Sequence, residues 1–113
     1  MNNLSPQLQN QVVQFQQLQQ QLQTVSTQKV QMDAQKKEIE RTLEELAKAK
    51  DDIYRSVGSL LIKVDDREAL KAELTDATET IDVRLKAMER QEKTLREKYQ
   101  SLQETINKAM GQQ

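Results

Sequence analysis

Catalysis and metal binding draw on a short list of side chains, and this sequence offers few of them in a usable arrangement. It has no histidine and no cysteine, which removes the commonest proton carrier, the thiolate nucleophile and the soft metal ligands together. A metal site would have to be built from carboxylates, and the two acidic pairs, Asp51-Asp52 and Asp65-Asp66, read better as turn and helix-cap residues. The glycines are Gly58 and Gly111, so no glycine-rich loop is available to cradle a phosphate, and ATP hydrolysis is excluded. Serine, threonine and tyrosine hydroxyls are present, but a hydroxyl without a base and a concave pocket has no machinery around it. The chain is therefore expected not to be an enzyme and to need no cofactor or metal. Its chemistry must be that of surfaces.

Which elements could carry such surfaces follows from composition and periodicity. With 113 residues, 35% of them hydrophobic, 3% aromatic and 31% charged, the chain allows one domain, spanning 1–113, but falls short of an ordinary globular core. Low hydrophobicity alone would suit disorder, yet a regular apolar period runs over almost the whole length, and that predicts long helices. Seventeen basic and eighteen acidic residues nearly cancel, so no global field draws in nucleic acid or an anionic membrane, and neither is expected as a partner. Residues 1–11 lack the basic start and apolar run of a signal peptide, and nothing approaches the roughly 20 apolar residues of a membrane span. The absence of cysteine suits a reducing compartment, and a cytoplasmic location is expected.

Helix 1 is predicted at about 6–51. Ser5 can cap free backbone N–H groups, and Pro6 at the first helical position loses no hydrogen bond. Leu8, Phe15, Leu22, Lys29, Lys36, Leu43 and Lys50 take heptad position a, with Gln11, Leu18, Val25, Met32, Ile39, Leu46 and Ile53 at d; ten of these fourteen are apolar. Lys29 and Lys36 are expected to reach out of the seam or to set register. Helix 2, at about 66–110, opens with Asp65 and Glu68 at capping-box spacing and ends at Gly111, a suitable C-cap. Its seam runs through Leu74, Ile81, Met88, Leu95, Leu102 and Ala109, interleaved with Thr78, Leu85, Glu92, Tyr99 and Ile106, so nine of eleven positions are apolar. The two seams match when residues whose numbers sum to 117 are paired: Leu8 meets Ala109, Phe15 meets Leu102, Lys29 meets Met88 and Leu43 meets Leu74. The expected fold is thus dominated by α-helix: a long antiparallel two-helix coiled coil, a rod about 60 Å long at about 1.5 Å per residue.

The register is centred between Gly58 and Ser59, inside the segment IYRSVGSLLIKV. Its β-branched, aromatic and aliphatic residues around Gly-Ser predict a short β-hairpin at about 53–64, with an irregular apolar loop as the plainer alternative. An isolated two-stranded hairpin is marginal in water, and its open edges invite pairing with other chains. Ile53, Tyr54, Val57, Leu60, Leu61, Ile62 and Val64 are the candidate oligomerisation residues. The opposite end differs in character. No charged residue occurs before Lys29, only Glu104 and Lys108 follow Lys98, and ten glutamines fall between Gln7 and Gln23. Val12 and Val13 lie outside the seam, and Met110 follows Ala109. A neutral, adaptable surface of this kind can touch apolar segments without selecting for charge. Packing alone accounts for Leu8, Phe15, Leu18, Leu102 and Ile106, and scattered exposure of an apolar residue is normal.

QFQQLQQQLQ near the start, YRSVGSLLIKV in the middle and ERQEKTLREKYQSLQ in the second helix resemble the archaeal prefoldin β subunits, over nearly the whole chain. The resemblance implies a hexamer of two α and four β subunits in which hairpins join into inter-subunit β-barrels and the coiled coils project from them. It also implies that the tips hold unfolded client proteins and pass them to a group II chaperonin without ATP. Carried onto this sequence, Ile53 to Val64 is the assembly segment. Leu4, Leu8, Val12, Val13, Phe15, Ile106 and Met110 form the client-binding tip. The rival reading is a structural or tethering coiled-coil adaptor, which should carry a specific charged or aromatic epitope at its tip. A nucleic-acid-binding coiled coil would need a basic stripe that the mixed charges do not supply.

Overall fold

The computed structural model describes residues 4–111. In chain order these form helix α1 (Pro6–Lys48), strands β1 (Tyr54–Val57) and β2 (Leu60–Lys63), and helix α2 (Arg67–Gly111). They separate into two compact units, one of the residues up to Val30 together with those from Lys86 onward, the other of Gln31–Leu85.

In the first unit, Ser5 starts α1 as its sequence suggests: its Oγ accepts the Leu8 N–H at 3.1 Å, satisfying one of the orphan donors of the first turn. The heptad positions then turn inward against α2. Leu8, Val25 and Ile106 are buried, while Phe15, Leu18, Leu22, Met88, Leu95, Tyr99 and Leu102 are half-buried. Two helices alone cover only a stripe of each other, so few seam side chains leave water completely. The seam register is finer than simple pairing suggests. Phe15 was expected opposite Leu102, but its ring packs edge-on against Tyr99, with centroids 4.5 Å apart at 87°, the geometry the aromatic quadrupole favours. Lys29, expected opposite Met88, reaches Glu92 at 3.2 Å. These pairs number 114 and 121 in total, on either side of 117, because each knob sits between two residues of the facing helix. Glu92 is only 13% exposed and also receives Arg96 at 3.7 Å, so the polar break in the seam is internally neutralised.

In the second unit, Met32, Ile39, Leu43 and Leu46 of α1 and Leu70, Leu74 and Ile81 of α2 are half-buried, and Leu85 is buried. Lys36 pairs with Asp82 across the helices and with Glu40 along its own. The Asp82 hydrogen bond holds the Lys36 ammonium above the ordinary lysine value, against a smaller opposing effect of burial. Three details correct the sequence reading at helix ends. α1 stops at Lys48 rather than near 51, where the guanidinium of Arg67 donates to the backbone carbonyls of Ala49 and Asp51 and satisfies groups a longer helix would have bonded internally. The cap of α2 is Asp66, not Asp65: its Oδ1 accepts the Ala69 N–H at 3.0 Å. Gly111 does not act as a left-handed cap; it is the last helical residue, and Gly58 is the one described residue with positive φ.

The hairpin forms where expected. β1 and β2 pair antiparallel, Tyr54 with Lys63, Arg55 with Ile62, Ser56 with Leu61 and Val57 with Leu60, and the Val64 N–H donates to the Ile53 carbonyl at 2.9 Å, extending the ladder by one pair. Gly58 adopts φ 59° at the first central position of the two-residue turn, as a type II′ turn requires. A side chain there would find open space but a strained backbone.

Candidate functional site

Because successive strand residues point to opposite faces and paired residues share one, the register sorts the hairpin by side. Ile53, Arg55, Val57, Leu60, Ile62 and Val64 lie on one face; Tyr54, Ser56, Leu61 and Lys63 lie on the other. The first face is apolar except for Arg55. Ile53 and Val64 are half-buried at its base, whereas all eight residues of the two strands are exposed. Tyr54 is 59% exposed, Leu60 63% and Leu61 76%. Both strands also leave one edge of backbone N–H and C=O groups unpaired, since the sheet has only two strands. Exposed apolar side chains beside open edges are the features that proteins otherwise suppress.

The charged residues of the hairpin are tied down. Arg55 makes a two-bond fork with Glu73 of α2, Nη1 to Oε2 at 3.1 Å and Nη2 to Oε1 at 3.2 Å. That contact holds the Glu73 carboxyl below the usual carboxylate range and the Arg55 guanidinium above its ordinary value. Lys63 lies 3.6 Å from Asp52. Sequence reasoning missed the Arg55–Glu73 pair. Arg55 could have been suspected as the one charge alternation places on the apolar face, but nothing in the sequence points to Glu73, eighteen residues later. Arg67 was missed too, although a basic residue at a helix start, where the dipole favours acids, signals that its charge serves another purpose.

In the first unit, the residues expected at the client-binding tip fall into three groups. Val12, Phe15 and Ile106 line one shallow groove, with Gln16, Gln19, Gln103 and Asn107 completing its lining. The Gln19 side chain also donates to the Tyr99 hydroxyl at 3.4 Å, a long contact. Val13, 50% exposed, and Met110, 53% exposed, stand outside that groove in open solvent. Leu8 is buried in the seam and Leu4 is half-buried, its carbonyl accepting from Gln9. Among the described residues no group of acidic side chains is arranged to hold a metal ion, and no helix is long and apolar enough to cross a membrane.

Comparison with known proteins agrees with this architecture. Residues 9–113 match the family model described as prefoldin subunit. The chain is 43% identical over 115 aligned positions to the prefoldin subunit beta of Archaeoglobus fulgidus, covering 100% of this chain and 98% of that one. It is 46% identical over 112 positions to that of Methanosarcina mazei, covering 97% and 95%. Its fold superposes on the crystal structure of the prefoldin beta subunit from Thermococcus strain KS-1 with a TM-score of 0.84 at 38% identity, over 96% of both chains. The beta2 subunit of the same strain shares the fold at TM-score 0.70 and 20% identity, over 80% of this chain and 97% of that one. The chain belongs to the prefoldin family, and it is similar along its length to the archaeal β subunits.

Proposed function

We propose that this chain, as a subunit of a non-enzymatic prefoldin chaperone, holds unfolded proteins without ATP at its Leu4–Phe15 and Ile106–Met110 ends. It assembles through the hairpin with α-type subunits and further β-type copies, two and four in number, the hairpins closing into β-barrels. The held chain passes to a group II chaperonin, in the cytosol. The observation that carries the reading is the groove of Val12, Phe15 and Ile106 together with exposed Val13 and Met110: its α1 side has no ionisable side chain before Lys29, and its α2 side has Glu104 and Lys108 alone after Lys98. Such a surface gains from desolvating any apolar segment and loses nothing to charge mismatch. Each contact is weak, but several tips acting on one unfolded chain raise the effective concentration and hence the hold. Release needs no nucleotide, because the contacts break one at a time.

Breadth of binding tests this reading. The assembled complex should retain several unrelated unfolded proteins with affinities within about tenfold of each other, and their folded forms not at all. Raising salt, which screens exposed charge, should change these affinities little. Retention of one defined protein in its folded state, with none of the unfolded set held, would instead indicate an adaptor.

A further inference from the structure

Arg55 is out of place on the face it occupies. It shares that face with Ile53, Val57, Leu60, Ile62 and Val64 and stands directly across the ladder from Ile62. Its guanidinium turns toward α2, where both terminal nitrogens are taken up by the two carboxylate oxygens of Glu73. Among the described residues this is the one ion pair joining a hairpin strand to a helix. Both groups remain accessible in the single chain, with side-chain exposures of 46% and 57%.

An exposed ion pair contributes little to the stability of a single chain, a two-bond fork more than most, so anchoring accounts for only part of the value of the contact. Burial changes its value. Covering the apolar face with another subunit would remove the guanidinium from water, and a lone buried cation is far more costly than a paired, hydrogen-bonded one. We propose that Glu73 is a built-in counterion for the assembly face, neutralising Arg55 within the same chain so that the face can be buried against a second apolar hairpin. This inference rests on the reading of the hairpin as the assembly element. It defines the partner's chemistry as well: an apolar strand face that brings no carboxylate of its own, a requirement that the Ile53–Val64 hairpin of another copy of this chain meets. Glu73 is thus a positioning and neutralising residue outside the hairpin itself.

The test is a comparison of Glu73→Gln, Arg55→Met and the double variant in the full chain within its assembled complex. The readouts are the dissociation constant on dilution, by mass photometry, and helix content by far-ultraviolet circular dichroism. Glu73→Gln strands the cation and should raise the dissociation constant about 30-fold, the scale for losing one partner of a buried charge pair. Arg55→Met should assemble as well as the parent or more tightly, and the double variant should recover to within about threefold of it, with helix content unchanged throughout. If Arg55→Met weakens assembly as much as Glu73→Gln and the double variant recovers nothing, the pair is a tether and the proposal is overturned. A Leu60→Lys, Ile62→Lys variant separates the two levels of the argument. Should it dissociate while Glu73→Gln assembles like the parent, the counterion role alone is wrong; should it assemble normally, the hairpin reading beneath that role fails with it.

Discussion

Replacing Leu60 and Ile62 with lysine is expected to split the assembled complex into single chains while leaving both helices formed. The two residues share the apolar face of the hairpin and are exposed in the isolated chain, so lysine there costs the single chain little. In an assembly that buries the face, each copy would carry two ammonium groups into a dry interface without partners. The penalty is several kcal/mol per buried ion even after relaxation, enough to raise the dissociation constant more than about 1,000-fold. Light scattering should report the mass of a single chain, and circular dichroism should show nearly the parental helix content. An unchanged mass would mean that assembly uses some other surface.

Changing Val12, Val13 and Met110 to serine together should weaken the protection of unfolded proteins and leave assembly intact. None of the three is in the heptad seam; Val13 and Met110 are half or more exposed, and Val12 forms part of the groove. The contribution to the fold is correspondingly small for exposed Val13 and Met110, within about 0.5 kcal/mol each, and somewhat larger for half-buried Val12. Their proposed contribution to binding is multiplied across several copies on one client, so about tenfold more complex should be needed for equal protection from aggregation. Leu8, Phe15 and Ile106 are poorer probes, because Leu8 and Ile106 are buried and Phe15 packs on Tyr99. Full protection by the triple variant would move client binding to another part of the molecule.

The parts of this fold that were legible in the sequence are those set by local period and local turn chemistry. Heptad spacing marked the seam residues of both helices from Leu8 to Leu46 and from Leu74 to Ala109, every one of them buried or half-buried. Gly58-Ser59 marked the turn, since glycine accepts the positive φ found there. The missed features depend on residues distant in sequence. Ala47, Lys48, Ala49 and Lys50 are all good helix formers, so no local signal stops α1 at Lys48; the carbonyls beyond it are taken by Arg67. The choice of Asp66 over Asp65 as cap follows from where Arg67 starts α2, a one-residue matter that two adjacent aspartates leave open. Likewise, alternation identified an apolar hairpin face but could not show that Glu73 would receive Arg55. At the proposed client site, composition revealed the neutral, glutamine-rich character of the surface, whereas the grouping of Val12, Phe15 and Ile106 in one groove, apart from Val13 and Met110, required the helices to be docked.

Suppression of aggregation without nucleotide is the most direct measurement of the central claim. The full chain, assembled with an α-type partner, is mixed at near-equal amounts with a chemically unfolded protein diluted from denaturant, and light scattering is followed in the absence of ATP. The account predicts that scattering is held close to baseline and that the client stays bound in an unfolded state. Scattering that rises as fast as in buffer alone, from a complex shown to be fully assembled, would contradict it and leave the coiled coil as a tether for some specific partner.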